Sequence, residues 1–437
     1  MTASENPVTG PLGAVHKPVD DLPTLRRMIA TAIRVEFTTI PPYLTALYSI
    51  ADTASDAYQT LRSVVVEEMF HVNQASNLLI AIGGRPSFTG DAVPTYPAFL
   101  PSASRAAALP YVGLYRASLS VFQNVFMNIE MPAPFSAPAE GERYKTIGQF
   151  YKAIDEGLIR CAETLGSDVV FRPVEGTQQR SDIYLGKFGG RAVEVRDVAT
   201  AQLAIRQIVE QGEGAVDPTR PLVPEQPFGS YDYYGRRIDG TYGPILGTPF
   251  ELSHYFKFKR VVDSGSFPDT YPIVSNPTTS DFSNESARHA AITFNAYYSV
   301  MLRSLEKAFV TSSGEHDVYF EITLPLMHAH LPQVAQQLMT TPTTADGDSS
   351  VGPNASPTFE YDPQARLSHV VDLVGSLRAH AKRPIARVGS RVTSARAIVP
   401  TPPVAEAMDA RRVDHLEKLF DHVRALHQRS EAAGFGL

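Results

Sequence analysis

The chain of 437 residues exceeds one minimal domain and allows roughly two or three domains, or one large domain with insertions. Hydrophobic residues make up 43% and charged residues 19%, an ordinary globular balance, and the formal net charge of −7 gives no global attraction to nucleic acid or an anionic membrane. A single cysteine, Cys161, excludes an internal disulfide and fits a reducing compartment; without a leader-like start or an apolar run near the ~20 residues of a membrane span, a cytoplasmic protein with a small-molecule or protein partner is expected.

Residues 1–20 carry Pro, Gly and polar residues without periodicity and read as a loose arm. Asp20 or Asp21 can cap a first helix with Leu25, Met28, Ala32, Ile33, Phe37 and Ile40 on one face, until Pro41-Pro42 kinks or interrupts it. A second helix is predicted from Tyr58 to Ile82, stopping at Gly83-Gly84. Residues 85–110 form a proline-rich connection. A third helix repeats Val112, Tyr115, Leu119, Phe122, Phe126 and Ile129 in steps of three and four, and a fourth closes at Gly166. The segment 167–195 reads as a small β insertion, because "DVVF" and "RAVEVRD" are short and β-branched. Helical patterning returns in "DVATAQLAIRQIVEQGEG", breaks in a Gly/Pro/Tyr-rich loop at 214–249, where Tyr231, Tyr233 and Tyr234 lie, and resumes at "ELSHYFKFKRVV". Stretches 284–311 and 316–340 read as an antiparallel helical pair. A turn-rich linker follows, then a basic run at 376–396 that reads as a solvated face, and a last amphipathic helix suited to cover the core or a second subunit of a homo-oligomer. These boundaries divide the chain into an arm (1–20), a bundle with its insertion (21–262), a helical pair (263–340) and a C-terminal region (341–437).

Within the second helix, Leu61, Val64, Glu68, His71, Ala75, Leu78 and Ile82 keep spacings of three and four, so Glu68 and His71 stand where apolar residues stand above and below. An unpaired charge facing a core costs several kcal/mol or more, so something must compensate them. One turn apart, a carboxylate and a neutral imidazole can ligate one ion. Glu67 sits at the edge of the stripe and fits an outer acceptor better than a ligand. Glu36 repeats the anomaly on the first helix, three residues after Ile33 and four before Ile40. Elsewhere periodicity is less decisive. Glu130 lies beside its apolar stripe, Glu210 and Glu213 share a face with Arg206, and His254 of "ELSH" can face inward with Phe258 and Val261. His328 and His330 are two apart and read as structural or solvent-facing.

Single Glu ligands on two helices and Glu-x-x-His on two others are the layout of di-metal four-helix bundles, and "EEMFH" resembles the E-E-x-x-H of ferritin-like carboxylate-bridged di-iron proteins. The ordered segments "IPPYLTALYSI", "EEMFHVNQASNLLIAIGGRP", "YPAFLP", "NIEMPAP", "TIGQFYKAI", "IVEQGEG" and "SHYFKF", over about residues 22–262, resemble the ferritin-like domain of iminophenylpyruvate dimer synthase-type proteins of bisindole pigment biosynthesis and their stand-alone bacterial relatives. "GPNASPTFEY" resembles a further segment of that family.

The resemblance implies a mainly α, ferritin-like four-helix bundle with long connections and extra C-terminal helices, and a metal set of Glu36, Glu68, His71, Glu130, Glu210 and His254, with Glu213 and Glu251 as alternates. It implies two iron ions, with manganese as the other candidate, Glu68 or Glu210 bridging, and an oxidoreductase acting with dioxygen on an amino-acid-derived or other secondary-metabolite intermediate. The rival expectations are a non-enzymatic ferroxidase-type iron binder and a metal-free interaction scaffold. No G-x-S-x-G, P-loop or paired C-x-x-C occurs to support a hydrolase elbow, a nucleotide site or a structural zinc.

Overall fold

The computed structural model describes residues 18–101, 110–132, 146–181, 192–212, 252–312 and 316–366, with Arg424, Ala425 and Gln428. Residues 1–17 of the N-terminal arm, the tyrosine-rich loop, Glu213, Glu251, the basic run and nearly all of the last helix fall outside them. The end of the arm is not loose: Val19 is buried, and its carbonyl accepts from Arg160 Nε at 3.0 Å.

Helix α1 (Leu22–Ser49) begins at Asp21, whose side chain accepts the Thr24 N–H at 2.7 Å. It runs through Pro41 and Pro42 without the expected interruption. Pro42 has no N–H for the Thr38 carbonyl four residues back, and the Tyr96 hydroxyl donates to that carbonyl instead at 2.8 Å. Helix α2 (Asp56–Ala81) is capped by Ser55 and stops before Gly83, whose φ of +77° ends it. Polar side chains on the outer side of α2 are buried because they hold another segment. Asn77 accepts the Arg180 N–H at 2.7 Å and donates to the Val193 carbonyl at 3.1 Å, and Gln74 accepts the Val193 N–H at 2.9 Å. Gln179 supplies both partners of Val195, each at 2.8 Å.

Those bonds explain why the described part of 167–195 contains no strand pair. Side-chain amides satisfy backbone groups that a hairpin would otherwise pair, and after Gly166 the chain makes a short helix, α6 (Ser167–Val170), rather than a strand. The small sheet lies elsewhere: β1 (Ala98–Phe99) pairs antiparallel with β2 (Tyr111–Val112) in the long connection.

The third column of the bundle starts at Ser118, later than its apolar pattern predicts, because Val112 belongs to β2. Helix α3 (Leu119–Val121), a π-helical turn (Phe122–Phe126) and α4 (Met127–Ile129) run on continuously. Beyond residues 133–145, which lie outside the described residues, α5 (Ile147–Leu165) extends from its Thr146 cap to Gly166. The fourth column is also in two pieces, α7 (Val198–Gln211) and α8 (His254–Asp263). The His254 N–H donates to the Gly212 carbonyl at 2.9 Å, so α8 resumes the hydrogen bonding where α7 stops. Helices α1 and α2 pack together, α5 packs on α1 and α7, α8 packs on the π turn and α4, and α2 contacts both α7 and α8. This is a four-column bundle with two continuous and two interrupted members.

Helix α9 (Glu285–Phe309) packs against α10 (His316–Pro325), a second π turn (Leu326–His330) and α11 (Leu331–Met339), the expected helical pair. The turn-rich stretch after α11 is more than a linker: Asn354–Phe359 is buried, and Asn295 of α9 accepts from the Thr358 hydroxyl at 2.9 Å and the Glu360 N–H at 3.0 Å.

Candidate metal centre

Glu36 of α1 and Glu68 and His71 of α2 turn inward from the middles of their helices and are buried, as their phase requires. Glu130, immediately after α4, and His254, the first residue of α8, are buried opposite them. Two groups result, Glu36–Glu68–His71 and Glu68–Glu130–His254, each with its candidate ligand atoms within 4.8 Å of one another. His71 Nδ1 is 3.5 Å from Glu36 Oε2 and 3.9 Å from Glu68 Oε2. His254 Nδ1 is 2.9 Å from Glu68 Oε1 and 3.6 Å from Glu130 Oε2. Glu68 therefore turns one oxygen to each group.

Each imidazole has its other nitrogen occupied. His71 Nε2 lies 3.0 Å from Gln211 Oε1, and His254 Nε2 lies 2.9 Å from Glu67 Oε2, which also pairs with the buried Lys257 ammonium. With the proton on Nε2, both rings present the Nδ1 lone pair to the carboxylates. The carboxylates are oriented in turn. Tyr151 donates to Glu36 at 2.8 Å, Tyr43 to Glu130 at 2.6 Å, and Thr39 to Glu68 at 3.1 Å.

Four carboxylates, Glu36, Glu67, Glu68 and Glu130, share this interior. Burial pushes the Glu68 carboxyl well above its ordinary value, and the charge of Glu130 adds to that. Burial opposes charging of His254, yet the facing carboxylates, Glu130 foremost, raise it well above the ordinary imidazole value. Burial likewise works against ionised Glu36, but the bond and charge of His71 prevail and hold it low. Protons are thus retained where negative charge converges, the task a bound cation would take over.

The donors fit such a cation. His254 Nδ1 is fully buried and makes no hydrogen bond, although Glu68 Oε1 is 2.9 Å away. That pairing has the distance but not the direction of a hydrogen bond, as expected of two ligand atoms aimed at a shared ion. Carboxylate oxygens and imidazole nitrogens without thiolate suit iron, manganese or zinc.

Glu210 does not join the cluster: it is exposed, two residues beyond buried Ile208 and so near the opposite side of α7. Gln211, three beyond Ile208, faces inward in its place. Gln211, Tyr43 and Thr39 escaped the sequence reading, although Thr39 and Tyr43 follow Glu36 by three and seven and so share its face. Glu130 lies inside rather than beside the stripe because of the π turn. The Met127 N–H reaches back five residues to the Phe122 carbonyl, and that extra residue rotates everything after it away from a 3.6-residue phase. His328 is exposed, while His330 is buried and stacks on Tyr297 at 5.6 Å.

A family model described as ferritin-like matches residues 29–263, more than half of the sequence. The chain belongs to the ferritin-like family. Among solved structures, a ferritin-like protein from Caulobacter vibrioides shares the fold with a TM-score of 0.51 and 19% identity, over 79% of this chain and 100% of that one. No curated protein matches. Among the described residues of this ferritin-like bundle, no second Glu-x-x-His lies within one helix. The second histidine, His254, opens α8, and the alternates Glu213 and Glu251, the latter three residues before His254 in sequence, lie outside the described residues. No helix among the described residues is long and apolar enough to cross a membrane.

Proposed function

We propose that the cluster holds two metal ions, iron foremost and manganese second, and that the protein is an oxidoreductase acting with dioxygen on a small molecule. The observation that carries the reading is Glu68, whose Oε2 faces the Glu36–His71 group while Oε1 faces the Glu130–His254 group. A carboxylate so placed can bridge two ions. The first would be held by Glu36, Glu68 and His71, the second by Glu68, Glu130 and His254. Bound iron would supply the electrons for dioxygen that carboxylates and imidazoles cannot supply. The protein's part is to fix the ligands: Tyr43, Tyr151 and Thr39 orient carboxylate oxygens, while Gln211 and Glu67 set the imidazole tautomers.

The substrate class rests on the resemblance of the 22–262 segments to iminophenylpyruvate dimer synthase-type proteins. It is a small amino-acid-derived intermediate, or another intermediate of specialised metabolism, undergoing oxidation.

Elemental analysis and absorption spectra of anaerobically iron-loaded protein, before and after oxygen, test the centre. Wild type should bind two irons per chain and develop a near-ultraviolet band with oxygen. Glu68→Ala should lose both irons, and unchanged iron content in that variant sinks the bridging assignment. A ferroxidase-type reading has one observation in its favour: the cavity against Glu36, His71 and Glu130 is about 10 Å³, room for about one water. A store would accumulate far more than two irons per chain, and an oxidoreductase would not.

A further inference from the structure

The cavity of about 10 Å³ beside the cluster is bounded by Glu36 and His71 from one group of donors and by Glu130 from the other. The rest of its wall includes Gly148 at the start of α5, Val209 near the end of α7 and Gly212, which caps α7. Glu68, which faces both groups, is not in the wall. Room for about one water therefore adjoins donors of both proposed ion positions at once. Gly148 and Val209 are half-buried and mark the side on which the cavity nears the surface.

Gly212 keeps this space open. Its φ of −70° is one that any residue adopts, so no left-handed turn calls for glycine here. What a side chain would change is the space. A Cβ at this position would stand 3.8 Å from Glu130 Oε2 and 3.9 Å from His71 Cε1, one donor residue of each group. Both are ordinary contact distances, so a methyl group would fit between the two residues without displacing either. Its nearest neighbour would be the Ile208 carbonyl oxygen at 3.2 Å, a contact relieved by a shift of a few tenths of an ångström. The backbone is held on both sides, by the Gly212 N–H donating to that Ile208 carbonyl at 2.9 Å and by the Gly212 carbonyl accepting the His254 N–H at 2.9 Å. A methyl group there would take up most of a space that holds only about one water.

We propose that a small exogenous ligand of one or two heavy atoms reaches the ions through this cavity, that it enters past Gly148 and Val209, and that Gly212 is the residue that admits it and limits its size. The inference rests on the two-metal reading above and deepens it by naming the side of approach. A diatomic such as dioxygen is close to the size of the space. A ring is not, since a cavity that takes up benzene measures ~150 Å³, and a ring-bearing substrate stays outside.

Titration of the anaerobic, Fe(II)-loaded full chain with nitric oxide, a diatomic probe, and with imidazole, a ring-sized one, tests this by absorption spectroscopy, with elemental analysis alongside. Nitric oxide should bind saturably, and imidazole should leave the iron spectrum unchanged. Gly212→Ala should keep two irons per chain yet bind nitric oxide at least about tenfold more weakly, the order expected when one extra methyl group crowds a filled space. Val209→Trp, at the half-buried rim, should slow nitric oxide association at least about tenfold at unchanged iron content. It tests the route even where circular dichroism shows that Gly212→Ala has not folded. Undiminished nitric oxide affinity in folded Gly212→Ala, or loss of iron from it, overturns the role of Gly212. Undiminished association in Val209→Trp overturns the route, and imidazole binding as tight as that of nitric oxide overturns the size limit. Fewer than two irons in the wild type, read by elemental analysis alone, overturns the two-metal centre and the inference with it.

Discussion

Glu36, Glu68 and His71 stand in the middle of unbroken helices, whereas Glu130 follows the end of α4, Gln211 closes α7 and His254 opens α8. Backbone bonds on both sides fix where the first three point. The others sit at helix ends, where that ladder gives out, and side-chain partners take over: Tyr43 for Glu130, and Glu67 with Lys257 for His254. One wall of the cluster is positioned by secondary structure and the other by its neighbours. The second should be the easier to disturb.

Lys257→Met attacks that difference hardest, because it leaves the Glu67 carboxylate buried without its cation. A loss of about 3–5 kcal/mol is expected in urea unfolding. A loss below about 1 kcal/mol would mean that His254 is not held through this pair. Next in size, Tyr43→Phe should cost about 1–3 kcal/mol and weaken the metal position at Glu130, while Tyr151→Phe, which strips the same kind of bond from mid-helix Glu36, should leave that position more nearly intact. Competition titrations with Mn(II) compare the two, and equal losses of affinity erase the contrast between walls.

Protons supply a third comparison. In metal-free protein the folded-state pKa values of Glu68 and His254 are raised, so the native state binds more protons than the unfolded chain. Their stabilising contribution is complete below the ordinary values, 4.5 for Glu68 and 6.5 for His254, and is lost as pH rises through the higher folded values. Glu36 has the opposite sign. Its pKa is depressed, so its contribution is present above 4.5 and is lost as pH falls through the lower folded value. Metal must displace the protons on Glu68 and His254, and calorimetry in buffers of different ionisation enthalpy should register proton release and tighter binding at higher pH. Binding without proton release contradicts the metal assignment. The smallest effect belongs to exposed Glu210: Glu210→Ala should change stability by less than about 0.5 kcal/mol and leave metal content unaltered.

How much could be read from the sequence follows the same division. The mainly α bundle and the inward phase of Glu36, Glu68 and His71 are legible because α1 and α2 keep one helical period from end to end. That period survives even Pro41-Pro42, since Tyr96 replaces the missing donor to the Thr38 carbonyl. The opposite side is not legible in this way. A π turn shifts the phase before Glu130, and the fourth column is split, so no single window contains Gln211 and His254. Glu210 is implied by the resemblance alone; phase leaves it on the solvated side and turns its neutral neighbour Gln211 inward. In the described part of 167–195, β-branched composition suggests strands, but the backbone pairing there is limited to a bridge between Thr177 and Val310, and Gln74, Asn77 and Gln179 supply side-chain partners instead.

The hydrogen bond from His254 to Gly212 brings together the two ends of an excursion spanning residues 213–253. Because that closure is made within the bundle's own helical bonding, the cost of lengthening the excursion grows only slowly, about 0.6 kcal/mol per doubling. The junction therefore sets the spacing of the two helix ends whatever the length between them. A different sequence substituted in the excursion would leave the Gly212–His254 junction to place the imidazole, which makes this junction a point where new sequence can be grafted without displacing His254 from the buried carboxylates.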